Sequence, residues 1–257
     1  MHSNPGLELA NAFGVNSFKM ILDGLLTLAY PQVCAICARS VEQRKFGVAC
    51  EACWNDTTVF TGTETVCSKC GALDGVRCGH CESQSFTAAR AVGLYEGALR
   101  ESVLLLKRKP HISRHLEALL ACAATRTPLN TCTRIIPVPL HDKRLAARGF
   151  NQASIIAQTL SKSLRLPLDE VSLLRVSGTE KHRAGLDAKG RYDTVAEAFQ
   201  VRHSRLVANE VILLIDDVFT TGATVSACAE ALNRAGAGSV FVLTIARANG
   251  PGWGNRF

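Results

Sequence analysis

Two adjacent carboxylates, Asp216 and Asp217, precede a hydroxyl-rich run made of Thr220, Thr221, Gly222, Ala223 and Thr224. These residue types suit the two halves of a sugar phosphate. Threonine hydroxyls and the unpaired N–H groups of a helix start donate to phosphate, and a glycine lets the backbone approach it closely. The carboxylates cannot hold that phosphate, because like charges repel. They are acceptors, which is what sugar hydroxyls need. A plain strand–turn–helix with a solvated acidic step is the competing reading, and it leaves the T-T-G-x-T run without a purpose.

The flanking residues supply the scaffold. Val211 to Ile215 is an unbroken apolar run rich in β-branched residues, which reads as a strand buried on both faces. It places Asp216 and Asp217 at a strand's carboxyl end, where open α/β sheets hold ligands. Val225–Ala235 has helical spacing, with Gly236 as its stop. The whole stretch resembles the 5-phosphoribosyl-1-pyrophosphate (PRPP) motif of type I phosphoribosyltransferases. The resemblance implies that the acidic pair binds the ribose 2′- and 3′-hydroxyls and that Thr220–Thr224 bind the 5′-phosphate.

Basic residues elsewhere could face a pyrophosphate. Arg134–Leu140 reads as a buried strand stopped by prolines, followed by a polar loop and a long amphipathic helix. Arg144, Arg148, Gly149, Phe150, Asn151 and Gln152 lie where that helix begins. Spacing alone equally allows Arg144 and Arg148 to be solvated. Val176–Asp193 is a long basic stretch, and a lid carrying Lys181 and Arg183 would exclude water and neutralise a leaving group. A merely exposed loop is the alternative there. The run Lys107, Arg108, Lys109 closes a helix over Ala98–Lys107, complementing its C-terminus or reaching pyrophosphate or nucleic acid. Further spacing predicts a linker over 82–90, a strand over Ala91–Tyr95, a helix over His115–Thr125, and strands over Leu168–Arg175 and Ser239–Ala246. Strands alternating with helices imply an α/β fold with a mostly parallel sheet.

Eleven cysteines are many for a chain without an evident secretory signal, and eight form four C-x-x-C pairs. These are Cys34/Cys37, Cys50/Cys53, Cys67/Cys70 and Cys78/Cys81. A C-x-x-C turn offers two thiolates to one tetrahedral metal, and two turns complete the site. The spacing favours two structural zinc ribbons in tandem, with Gly47, Gly71, Gly75 and Gly79 at turns. Interleaved pairing, a single filled site and an iron–sulfur cluster stay open. So short a segment has few apolar residues, so metal would supply most of its folding free energy. Cys122, Cys132 and Cys228 fit as ordinary small buried residues.

At 257 residues, 47% hydrophobic and 20% charged, the chain can bury a core and is of soluble globular type. A net charge of +7 favours anionic partners without selecting one. Aromatics are only 6%, which argues against extensive base-stacking platforms. Phe18–Tyr30 has one apolar helical face interrupted by Asp23, too short and polar to span a bilayer. The expected setting is cytoplasmic.

Cysteine pairs, then P-V-P-L, then R-G-F-N-Q, then the PRPP motif, in that order, resemble the ComF family of phosphoribosyltransferase-like proteins. The resemblance implies a type I phosphoribosyltransferase fold at 86–250 behind a zinc-binding module at 34–85, with an N-terminal helical segment at 1–33 and a tail at 251–257. It matches Arg144 and Arg148 to basic positions of the family's segment. It also implies PRPP as ligand, Mg²⁺ carried on PRPP, and a link to single-stranded DNA uptake in natural competence. The expected reaction is transfer of 5-phosphoribosyl to an acceptor the sequence does not specify. A PRPP-sensing or single-stranded nucleic-acid-binding protein without catalysis is the alternative.

Overall fold

In the computed structural model, residues 32–73, 81–176 and 198–248 are described. Four strands form a fully parallel sheet in the order β1 (Ala88–Leu94), β6 (Ser239–Arg247), β5 (Val211–Phe219), β2 (Arg134–Pro137). Two short strands, β3 (Leu173–Arg175) and β4 (Phe199–Val201), pair antiparallel in a separate ribbon. The helices are α1 (Glu51–Asn55), α2 (Gly97–Leu106), α3 (Arg114–Ala124), α4 (Asp142–Arg148), α5 (Gln152–Leu164) and α6 (Ala223–Arg234).

Strand alternation explains why the central strands are apolar throughout. Leu213 and Ile215 of β5 join Leu243 and Ile245 of β6 in one core, with Leu99, Leu120, Ile156 and Leu160 from α2, α3 and α5. Ile212 and Leu214 face the other way, with Val240, Val242 and the α6 residues Val225, Cys228 and Leu232. Both faces of the sheet are covered, as a parallel sheet requires. Among the described residues, no helix is long and apolar enough to cross a membrane.

Several sequence expectations shift. β5 runs on to Phe219, so Asp216 and Asp217 lie within the strand; Asp216 pairs with Thr244 and Phe219 with Arg247. The expected linker gives way to β1 at Ala88, and Phe86 before it is buried. The expected strand over Leu168–Arg175 shrinks to β3, because Asp169 Oδ1 accepts the N–H groups of Val171 and Ser172 and turns the backbone. The polar loop after β2 is the short helix α4, ended by Gly149 at φ 77°. Cys132 and Cys228 are buried as expected, but Cys122 is exposed, on the face of α3 turned away from Leu116 and Leu120. The expected helix over Phe18–Tyr30 and nearly all of the expected lid, including Lys181 and Arg183, lie outside the described residues.

Candidate functional site: an acid- and base-lined cavity

A cavity of about 390 Å³ opens beyond the carboxyl ends of the neighbouring parallel strands β2 and β5. From β5 and the turn after it come Asp216, Asp217, Thr220 and Thr224; from the segment after β2 come Arg144 and Arg148. Residues 72 positions apart in the chain meet here because their strands pair, Pro137 lying opposite Ile215.

The acidic side is strained electrostatically. Burial, then the adjacent Asp217 carboxylate, pushes Asp216 up to about 7. Its Oδ1 accepts the Asp217 N–H at 2.8 Å. Lys107 Nζ, just past the end of α2, stands 3.5 Å from Asp217 Oδ2 and lines the same cavity. The basic run at 107–109 therefore sends one cation into the site. Burial pushes the Cys228 thiol well up, and the Asp216 charge adds to it, which leaves that thiol inert.

The threonine loop is built on Gly222, the N-cap of α6, at φ 80°. A Cβ there would fall 2.7 Å from Phe219 Cζ and 3.1 Å from Gln84 Oε1. Packing inside the protein thus already demands glycine. Gly222 also brings no side chain to cap α6, and the Ala223 N–H reaches Thr221 Oγ1 only at 3.4 Å. A helix start so lightly capped suits an anion.

The opposite wall is fixed by Asn151. Its Oδ1 caps α5 by accepting the Ala153 N–H at 3.1 Å, and its Nδ2 donates to the Val138 carbonyl at 2.9 Å. Arg148 Nη1 donates to Gln152 Oε1 at 2.8 Å.

Thiols gather in two clusters. Cys34, Cys37, Cys50 and Cys53 bring their sulfurs within 4.8 Å of one another, and so do Cys67, Cys70 and Cys81. The Cys37–Cys50 and Cys67–Cys81 sulfurs are 3.6 Å and 3.7 Å apart. A tetrahedral zinc with bonds of about 2.3 Å spaces its sulfurs by about 3.8 Å, so the donor sets fit structural zinc. The Arg39 side chain, donating to Cys37 Sγ at 3.4 Å, holds that thiol at about 6 and favours the thiolate a metal needs. Pairing is sequential, not interleaved. Cys78 lies outside the described residues.

No family model matches the chain. It is 33% identical to Competence protein F of Haemophilus influenzae, covering 84% of this chain and 96% of that one. It is 30% identical to DNA utilization protein YhgH of Shigella flexneri, over 86% and 99%. Competence protein ComFC of Bacillus subtilis is 26% identical, over 77% and 83%. The chain belongs to the ComF family. Among solved structures it overlaps in part with a Bacillus subtilis glutamine PRPP amidotransferase complexed with ADP and GMP, at 15% identity and a TM-score of 0.37, over 58% of this chain and 27% of that one. That overlap carries no argument.

In this ComF chain, Asp216, Asp217, Thr220, Thr224, Arg144 and Arg148 share one cavity, while Thr221, Gly222 and Ala223 shape the turn that bounds it. Sequence reasoning missed Tyr95 and Arg175 as cavity residues, since each merely ends a predicted strand. It missed Gln84 altogether. Gln84 Nε2 donates to the Thr221 carbonyl at 3.3 Å across 137 residues, a contact with no local sequence signal.

Proposed function

We propose that the ComF chain binds PRPP in this cavity as a phosphoribosyltransferase-like protein. The observation that carries the reading is the cavity's division into an acceptor side, Asp216 and Asp217, and a donor side, Arg144 and Arg148, joined by the threonine turn. Ribose hydroxyls need acceptors and phosphates need donors, so PRPP fills both halves with one molecule. Thr220–Thr224 would take the 5′-phosphate at the start of α6. Arg144 and Arg148 would face the pyrophosphate, with Lys181 and Arg183 as further cations. Mg²⁺ would arrive on the substrate's own oxygens.

Transfer would break the bond between C1 and the pyrophosphate oxygen, the electron pair leaving with pyrophosphate. The acceptor's lone pair then bonds C1, and the acceptor gives up its proton. The protein's part is to hold the ring and to stabilise charge on the departing group. Structural zinc at the cysteine clusters would hold the fold around this site. The relatives' names, Competence protein F and DNA utilization protein YhgH, support a link to competence and DNA use.

Calorimetric titration of PRPP with Mg²⁺ into the zinc-loaded chain tests the reading. Saturable binding by the wild type and its loss in Asp217→Asn is the expected result. A folded wild type that takes no PRPP would overturn it, and pyrophosphate release on adding an acceptor would separate transfer from sensing.

A further inference from the structure

The donor side of the cavity contains a group that neither the motif nor the arginines account for. Gln152 is 3% exposed and lines the cavity. Its Oε1 accepts from Arg148 Nη1 at 2.8 Å. A guanidinium has donors only, so the amide must turn its oxygen to Arg148 and its NH₂ away. Among the described residues, that Nε2 has no hydrogen-bond partner. A buried donor left unpaired is destabilising, and proteins keep one where something else completes it.

Donation from Arg148 also polarises the amide and sharpens its N–H as a donor. The amide is held in place from both ends. Asn151 pins the first turn of α5 to the Val138 carbonyl, and Arg148 fixes the side-chain rotation. Arg144 and Arg148 bring donors alone to this wall, which the Gln152 side chain also lines. A diphosphate presents acceptor oxygens alone.

We propose that Gln152 is a direct ligand of the substrate's diphosphate, donating through Nε2 beside Arg144 and Arg148. This deepens the PRPP reading and rests on it. Arg148 accordingly has two tasks, pairing with the anion and aiming the amide.

The test uses the zinc-loaded full chain, titrated separately with Mg²⁺-pyrophosphate and with ribose 5-phosphate. Gln152→Glu keeps an oxygen for Arg148 and removes the donor; Gln152→Met keeps the length and removes both. Each variant is expected to lose about tenfold or more in pyrophosphate affinity, the effect of one hydrogen bond to a charged ligand. Ribose 5-phosphate affinity should stay within about twofold. In the wild type, the Gln152 side-chain amide resonances, identified by their absence in Gln152→Glu, should move downfield when pyrophosphate is added.

Retained pyrophosphate affinity in Gln152→Glu would mean that the amide merely positions Arg148, and would overturn the proposal. Equal loss of both ligands in the variants, or amide resonances that ignore pyrophosphate, would overturn it too. In those cases wild-type PRPP binding would leave the broader reading intact. A wild type that binds neither PRPP nor ribose 5-phosphate would overturn both.

Discussion

Cys34, Cys50 and Cys53 are buried in the core shared with α2, α3 and α5, whereas Cys67, Cys70 and Cys81 belong to the core on the α6 side of the sheet. The first cluster is anchored to helices. Trp54 Nε1 donates to the Phe46 carbonyl at 3.0 Å, and both rings pack edge-on against His115 of α3. Thr57 Oγ1 accepts the Ala98 N–H at the start of α2. The second cluster is anchored to the strands that carry the site. Ala89 N–H donates to the Lys69 carbonyl at 2.7 Å, and Arg247 Nη1 donates to the Cys70 carbonyl.

From the second cluster, two tethers reach the threonine turn. Gln84 N–H donates to the Cys81 carbonyl, and its side chain donates to Thr221. Arg247, bound to Cys70, also lies 5.1 Å over the Phe219 ring, against which Gly222 packs. The same ligand chemistry therefore serves two ends. One cluster holds a helical layer on the sheet, and the other braces the threonine turn.

Breaking each cluster in turn gives the largest contrast. Cys67→Ser or Cys70→Ser should weaken PRPP binding by about tenfold or more, roughly 1.4 kcal/mol. Cys50→Ser or Cys53→Ser should lower Tm and metal content while PRPP affinity stays within about twofold at temperatures where the variant is folded. Calorimetry beside thermal melts reads both. Equal losses from the two clusters would erase the distinction.

Next comes the turn itself. Gly222→Ala meets both a positive φ and the Phe219 ring, so it should cost about 1–3 kcal/mol of stability and weaken PRPP binding. A variant with wild-type melting and affinity would show that the turn repacks freely.

Gln84→Leu isolates the tether without touching a thiol. It removes the bond to Thr221 and also the buried Oε1, which has no partner among the described residues, so stability should change by less than about 1 kcal/mol. PRPP affinity should drop several-fold with metal content unchanged. Unchanged affinity would leave Arg247 as the sole tether.

The smallest effect concerns the acidic pair. Asp216 is raised from its ordinary 3.8 to about 7 by burial and then by Asp217. Between those values the folded chain binds more protons than the unfolded one, so stability falls as pH rises through the window. Asp216→Asn removes that dependence. Above about pH 7 its Tm should exceed the wild type's by several degrees, and the gain should vanish near pH 4. A Tm difference independent of pH would contradict the assigned cause.

Much of this was legible because it is local. The β-branched run at 211–215, the T-T-G-x-T turn and the C-x-x-C spacings each encode a short-range geometry; the strand and the turn stand where expected, and so do the three cysteine pairs whose members are both described. What sequence hid is tertiary. That Lys107 enters the cavity depends on where α2 ends relative to β5, and residues 82–90 looked like a linker because Gln84 and Phe86 gain their purpose only against residues 219–222. The sequence pattern of two tandem ribbons likewise gave no sign that the two clusters join different cores.

A crystal structure with PRPP and Mg²⁺ tests the central claim most directly. The account predicts the 5′-phosphate against Thr220–Thr224, the ribose hydroxyls on Asp216 and Asp217, and the pyrophosphate on Arg144, Arg148 and Gln152. A PRPP bound with its pyrophosphate on the threonine turn, or bound outside the cavity, would contradict it.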